Sequence, residues 1–154
     1  MDMSKNGFRI PTEAEWEYAA RGGKNKDNYI FSGSNNIDIV GWYYDNSEIP
    51  TQNTNNNKFV VIRQTHTVRT KAPNSLGIYD MTGNVEEFCF DIYHGNYDNF
   101  PTSKDPVAKN NKTNYRIRRG GSCLHSLNIF DRGSIAPKII FYHLGARIVA
   151  RLPK

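Results

Sequence analysis

The stretch FRIPTEAEWEYAARGG, residues 8–23, constrains this chain more than any other. Thr12 followed by Glu15 is a capping box: the hydroxyl accepts from an orphan amide of the first turn while the carboxylate reaches back to the cap. Glu13, Glu15 and Glu17 lie where a helix dipole favours negative charge. Trp16, Ala19 and Ala20 share one face at i, i+3, i+4 spacing, and Gly22 and Gly23 end the run. The spacing predicts a helix of about two to three turns, with Trp16 as its core anchor.

Downstream the text turns to short strands and long connections. KFVVIRQTHTVRT alternates well enough for a strand from Phe59 to Val68, and EEFCFDIY predicts another around Glu87 to Ile92. YRIRRGGS reads as a strand that breaks at its glycines, and LGARIVARL as the closing strand. Between them lie a polar, turn-rich stretch over 24–57, the Asn-rich loop QNTNNNK at 52–58, and the long loop HGNYDNFPTSKDPVAKNNKTN. Loops of that length are uncommon unless they carry function or bind ions. With 154 residues the chain is expected to form one α+β domain around a single modest core.

Several classes are set aside by composition. No apolar run approaches the roughly 20 residues of a membrane-crossing helix, and MDMSKNGFRI lacks the apolar centre of a signal peptide. A soluble, cytoplasmic chain is expected unless an export segment precedes it. The formal charge of +5 is modest and falls late, at Arg116, Arg118, Arg119, Arg132, Lys138, Arg147, Arg151 and Lys154. A nucleic-acid surface carries a denser basic stripe, so these residues are expected to face solvent or pack against aromatics. Two cysteines, Cys89 and Cys123, are too few for a disulfide scaffold; they are free, or pair outside the cytosol.

Three blocks, FRIPTEAEWEYAARGG, APNSLGIYDMTGNVEEF and YRIRRGGS followed by LGARIV, together resemble the formylglycine-generating-enzyme or sulfatase-modifying-factor domain in order and approximate spacing. The resemblance spans nearly the whole of residues 1–154 and implies a C-type-lectin-like fold. Family members usually begin with a strand and helix ahead of the first block, and this chain starts at that block. The family holds copper-dependent oxidases that convert a target cysteine to formylglycine, and relatives that use iron. It also holds non-enzymes, among them variable proteins of diversity-generating retroelements, which use the fold as a display platform. Fold alone does not choose among them.

The resemblance also implies a structural calcium site, with ligands from the Asp80 side chain, the Gly83 and Val85 carbonyls and the Glu87 side chain. Calcium takes six to eight oxygens at about 2.3–2.6 Å, and the glycine lets the turn fold tightly enough to aim carbonyls inward. Where the family commonly reads Trp-Glu-Trp, this chain reads Glu86-Glu87-Phe88. Glu86 either strengthens the cation site or faces water.

Copper(I) needs two converging thiolates, and the two positions implied for them hold His125 and Phe130, so copper is not expected. Cys123 and His125, two apart on a strand, share a face, which leaves a nucleophile and base conceivable. An inert small residue is the alternative for Cys123, and Cys89 reads as core. The segment LHSLNIFDRGSIAPKIIFYHLGARI mixes aromatic, apolar and polar residues without a clean period. The resemblance places it on the exposed upper face, presenting Leu124, His125, Asn128, Phe130, Lys138, Phe141, Tyr142 and His143 to a protein or small-molecule ligand. About half of Ile135, Ile139, Ile140 and Phe141 are expected in the core. The favoured function is binding through residues 123–143; the alternative is a divergent oxidoreductase acting on a cysteine of a target protein.

Overall fold

A strand that alternates buried and half-buried residues, β6 (Glu86–Ile92), is the axis of the fold. The computed structural model describes residues 7–25, 28–53, 55, 58–95, 107 and 114–150. The other elements, in chain order, are β1 (Phe8–Arg9), α1 (Glu13–Ala20), α2 (Ile37–Val40), β2 (Gly41–Trp42), β3 (Glu48–Gln52), β4 (Phe59–Arg63), β5 (Thr82–Gly83), β7 (Arg116–Arg119), β8 (Gly133–Ile135), β9 (Leu144–Ala146) and β10 (Val149–Ala150). The principal sheet runs β8-β7-β6-β9. Strand β6 pairs antiparallel with β7 and parallel with β9. Three two-stranded pairings, β1 with β10, β2 with β5 and β3 with β4, complete the architecture.

The capping box forms as the sequence implies. Glu15 N donates to Thr12 Oγ1 at 3.2 Å, and Thr12 N donates to Glu15 Oε2 at 2.8 Å. Arg9 then clamps the Glu15 carboxylate through both of its terminal nitrogens, at 2.6 and 2.5 Å. Helix α1 lies against β6 and β7, and Trp16 and Ala20, each 1% exposed, join Met81, Cys89, Ile117 and Ile129 in the core. Glu13 N donates to Asp91 Oδ2 at 2.7 Å, placing a strand carboxylate at the positive end of the helix.

Other elements depart from expectation for local reasons. Strand β4 stops at Arg63, five residues short of Val68. The backbone at His66 is satisfied by a side chain instead of a ladder: His66 N donates to Asn84 Oδ1 and Asn84 Nδ2 donates to His66 O. The closing strand divides in two because β9 follows β6 while β10 returns to β1, with Arg147 between them. Helix α2, a single turn capped by Asn36, is too short to leave a periodic signal. The segment 96–106 and most of 107–113 lie outside the described residues, as does part of QNTNNNK.

The turn glycines are steric requirements. Gly83 has φ +71, and an added Cβ would stand 2.1 Å from the Trp42 carbonyl oxygen, so the parallel pairing of β2 with β5 needs a bare Cα. Gly121, at φ +74, faces Leu127 N at 2.8 Å in the same sense.

Trp16 joins two links of this fold, since its ring fills the core while Nε1 donates to Glu87 Oε2 at 2.7 Å. Trp16→Ala is expected to lower stability by about 3–5 kcal/mol. Trp16→Phe, which keeps much apolar area but removes a donor from a buried acceptor, should cost about 1–3 kcal/mol. Urea denaturation measures both, and an unchanged midpoint for the alanine variant would remove Trp16 as the anchor of α1.

Candidate functional site

Successive residues of a strand point to opposite faces, so Glu86 and Glu87 open two different sites. On one side, Glu87 faces a cleft of about 630 Å³ lined by Asp80, Val85, Arg69, Tyr79 and Arg147, among others. Three of the residues read as calcium ligands, Asp80, Val85 and Glu87, therefore lie around one space; Gly83 is instead buried in the pairing of β2 with β5. The carboxylate of Glu87 is already engaged. Arg147 Nη2 donates to Oε1 at 2.8 Å, Arg147 Nε to Oε2 at 3.1 Å, and Trp16 Nε1 to Oε2 as well. Asp80, itself at φ +58, accepts from Arg69 N through Oδ2 at 2.8 Å. Burial pushes the Glu87 carboxyl above its ordinary range, and the Arg147 fork opposes that push. The Glu87 carboxylate that the resemblance assigns to calcium is thus held by a guanidinium in this structure.

On the other side, Glu86 neither faces water nor joins the first cleft. It is 1% exposed; Arg118 Nη1 pairs with Oε2, and His125 Nε2 lies 3.0 Å from Oε1. His125 Nδ1 stands 3.5 Å from Ser122 Oγ. The turn that carries His125 is closed by reciprocal backbone bonds between Ser122 and His125. Sequence reasoning missed Glu86 as the buried hub of this group. The signal available was its position, where the family has a large buried aromatic.

Cys123 and His125 do not form a nucleophile and base. Both ring nitrogens of His125 address other groups, while Cys123 is fully buried with its backbone held by Asn84 O and Ser47 Oγ. Burial raises the thiol pKa of Cys123, and that of Cys89 further still, with Glu13 adding to the shift at Cys89. Both thiols are free. A low-pKa, accessible thiolate is what thiol chemistry requires, and these two have neither property.

The upper face gathers only part of the predicted set. Phe141 stacks on His143 at 5.1 Å between ring centroids, Tyr142 meets the same ring edge-on at 5.1 Å, and His125 approaches it at 6.4 Å. Tyr142 OH donates to Arg63 O at 3.4 Å, which ties this group to the β3–β4 hairpin. Ile140 is 91% exposed beside it, whereas Ile135 is buried. Of the four apolar residues expected to divide evenly, three face outward, because 136–143 turns away from the sheet after β8. Phe130 and Asn128 belong to a separate corner, where Arg21 lies over the Phe130 ring at 4.9 Å and Asn128 caps a turn against Asp131. Leu124 is half-buried and Lys138 exposed.

Among the described residues the late arginines are consumed within the fold; Arg151 and Lys154 lie outside the described residues. Arg119, fully buried, pairs with Glu13 and Glu17, Arg132 with Glu13, Arg118 with Glu86 and Arg147 with Glu87. Arg116 lies over Phe90 and Arg119 over Trp16.

A small four-stranded sheet, short helices and long connections that carry the surface define a fold of the C-type-lectin-like, formylglycine-generating-enzyme class, with α+β content. The chain belongs to the sulfatase-modifying factor enzyme 1-like domain family, whose model matches residues 2–152. Among its relatives, chaperone protein LppX of Paenibacillus barcinonensis is 39% identical over 149 residues, covering 86% of this chain and 47% of that protein. The formylglycine-generating enzyme of Bos taurus is 34% identical over 122 residues, covering 75% and 30%. In structure, Treponema denticola variable protein 1 superposes with a TM-score of 0.79 at 34% identity over 99% of this chain and 50% of that one. PvdO from Pseudomonas aeruginosa gives 0.74 at 25% identity, over 96% and 54%. The chain thus spans about half the length of these structures, or less of the enzymes. Among the described residues, no helix is long and apolar enough to cross a membrane.

The thiol environments give a direct check. In native protein at pH 8, a thiol-reactive chromogenic disulfide is expected to label neither Cys89 nor Cys123 on the timescale of a free thiol, and both after denaturation. Fast labelling of Cys123 in the native state would return it to the list of reactive groups.

Proposed function

We propose that this domain binds a protein or small ligand through the surface built by residues 123–143, centred on His125, Phe141, Tyr142 and His143. The observation that carries the reading is the aromatic cluster itself. Tyr142 is 61% exposed and Phe141 45% exposed, yet both are held in place by ring contacts with His143. Aromatic groups that are rigid before binding lose little conformational freedom on contact, and such groups dominate interface energetics. Beneath them, the Glu86 carboxylate fixes His125 from the core side, so the polar component of the patch is positioned as well.

The alternative is an oxidoreductase acting on a cysteine of a target protein. The relatives' names divide between the two readings, since some are formylglycine-generating enzymes while others are called a chaperone protein and a variable protein. The geometry favours binding, because the oxidase needs an accessible thiolate and Cys123 is sealed. Nucleic acid is the least favoured partner, with most late arginines paired to internal carboxylates.

A displayed random-peptide library selected on the intact domain tests the reading. Recovered peptides are expected to lose affinity by about tenfold or more on Phe141→Ala/Tyr142→Ala and to bind Cys123→Ser unchanged. Turnover of a cysteine-containing peptide with copper(I) and oxygen, abolished in Cys123→Ser, would replace this reading with the enzymatic one.

A further inference from the structure

We infer that Arg147 supplies, from within the chain, the positive charge that the family resemblance assigns to calcium at residues 80–87. The guanidinium is set among four oxygens. Nη2 donates to Glu87 Oε1 at 2.8 Å, to Tyr79 O at 2.9 Å and to Asp80 O at 3.4 Å, and Nε donates to Glu87 Oε2 at 3.1 Å. Two carboxylate oxygens and two carbonyls converging on one cation are the kind of donor set a hard metal ion takes. The predicted calcium ligand among them is the Glu87 carboxylate, while the carbonyls are those of Tyr79 and Asp80. Here an arginine fork collects them, with the bidentate match to a carboxylate that lysine lacks.

Three further observations point the same way. First, Glu87 is 5% exposed and its Oε2 already accepts from both Trp16 and Arg147. A calcium ion bound to that carboxylate at about 2.4 Å would lie within roughly 5 Å of the guanidinium, so the two positive charges would compete for the same oxygens. Second, the charges around the cleft are balanced, with Asp80 and Glu87 against Arg69 and Arg147. Third, Glu86, the extra acid of this chain, adds nothing to the cleft, since it lies on the opposite face of β6 and pairs with Arg118 and His125.

The position of Arg147 gives the substitution a structural consequence. It follows β9, which runs parallel to β6 with Gly145 opposite Glu87, and it precedes β10, which closes the chain onto β1. One guanidinium therefore joins the turn at 79–80, the central strand and the last strand pair. In a calcium-stabilised domain the same junction would open when the ion is removed; here it would persist in chelator.

Thermal melts of the 154-residue chain test this, using calcium chloride at about 5 mM, above the weak range of calcium sites, against the same buffer with excess chelator. Wild type is expected to melt within about 1 °C in the two conditions, whereas a bound ion raises the midpoint by mass action. Glu87→Gln and Arg147→Met are each expected to lower the midpoint by several degrees. They should do so equally with calcium and with chelator, and the double variant should fall little further than either single one. A calcium-dependent rise in wild type that disappears in Glu87→Gln would overturn the inference, as would Arg147→Met melting like wild type. The wild-type comparison decides even where a variant does not fold.

Discussion

A fully buried arginine holds helix α1 to the central sheet. Arg119 leaves β7 and enters the space under α1, where Nε lies 3.0 Å from Glu13 Oε1, in ionic contact rather than hydrogen-bond alignment. Its Nη2 meets Glu17, and its Nη1 donates to the carbonyls of Ile129 and Asp131 at 2.9 and 2.7 Å. Removing a charge from water is expensive unless partners surround it, and here they come from the helix and from the loop after the double glycine. Glu13 is shared with Arg132, whose Nε and Nη2 approach at 2.6 and 2.7 Å. The helix is therefore held to the sheet by charge on the flank of the same contact that Trp16 makes with apolar surface. Such a network specifies one docking of α1, since sliding by a residue would strand at least one buried ion.

This network explains which parts of the fold were legible in the sequence. The capping box and Trp16 announce α1 because caps and periodicity are local, and the structure places both as read. Strands β6 and β7 of the central sheet are likewise visible, and β9 falls in the predicted closing strand, whereas β8 lies in a stretch without a clean period. What no local rule announces is that arginines in the last third of the chain belong to glutamates in the first helix, 102 and 119 residues away. Read by composition, those arginines face solvent or pack against aromatics; read in space, they pack against Trp16 and Tyr93 and are also counterions. Strand β4 shows the complementary error. The FVVIRQTHTV alternation runs on past Arg63, but Asn84 captures the backbone of His66 and ends the ladder, which only tertiary contact decides.

The candidate site was legible to a smaller degree for the same reason. Phe141, Tyr142, His143 and His125 are gathered by the turn over 136–143 and by the Ser122–His125 bridge, whereas Phe130 and Asn128, close to them in sequence, are drawn away to Arg21 and Asp131. The double glycine is where these paths separate. Gly120 and Gly121 both adopt positive φ, which lets the chain reverse beneath Trp16 and deliver Cys123 inward and His125 outward.

The substitution of Glu86 for a family tryptophan ties these observations together. A tryptophan there would fill volume and ask for one acceptor. A carboxylate in the same buried place must be neutralised, and Arg118 from β7 and His125 from the turn do so. The demand of the buried charge thus reaches the surface: it orients His125, whose ring approaches that of His143 in the aromatic cluster. Glu87, next along the strand, makes the equivalent demand on the other face and draws in Arg147. Two adjacent acids on one central strand therefore organise the two sides of the domain differently, one into a cleft closed by its own guanidinium and the other into an exposed aromatic patch with a fixed polar edge. The polarity of that edge is set by a residue no ligand would touch, which is why the chemistry of the patch follows from the core.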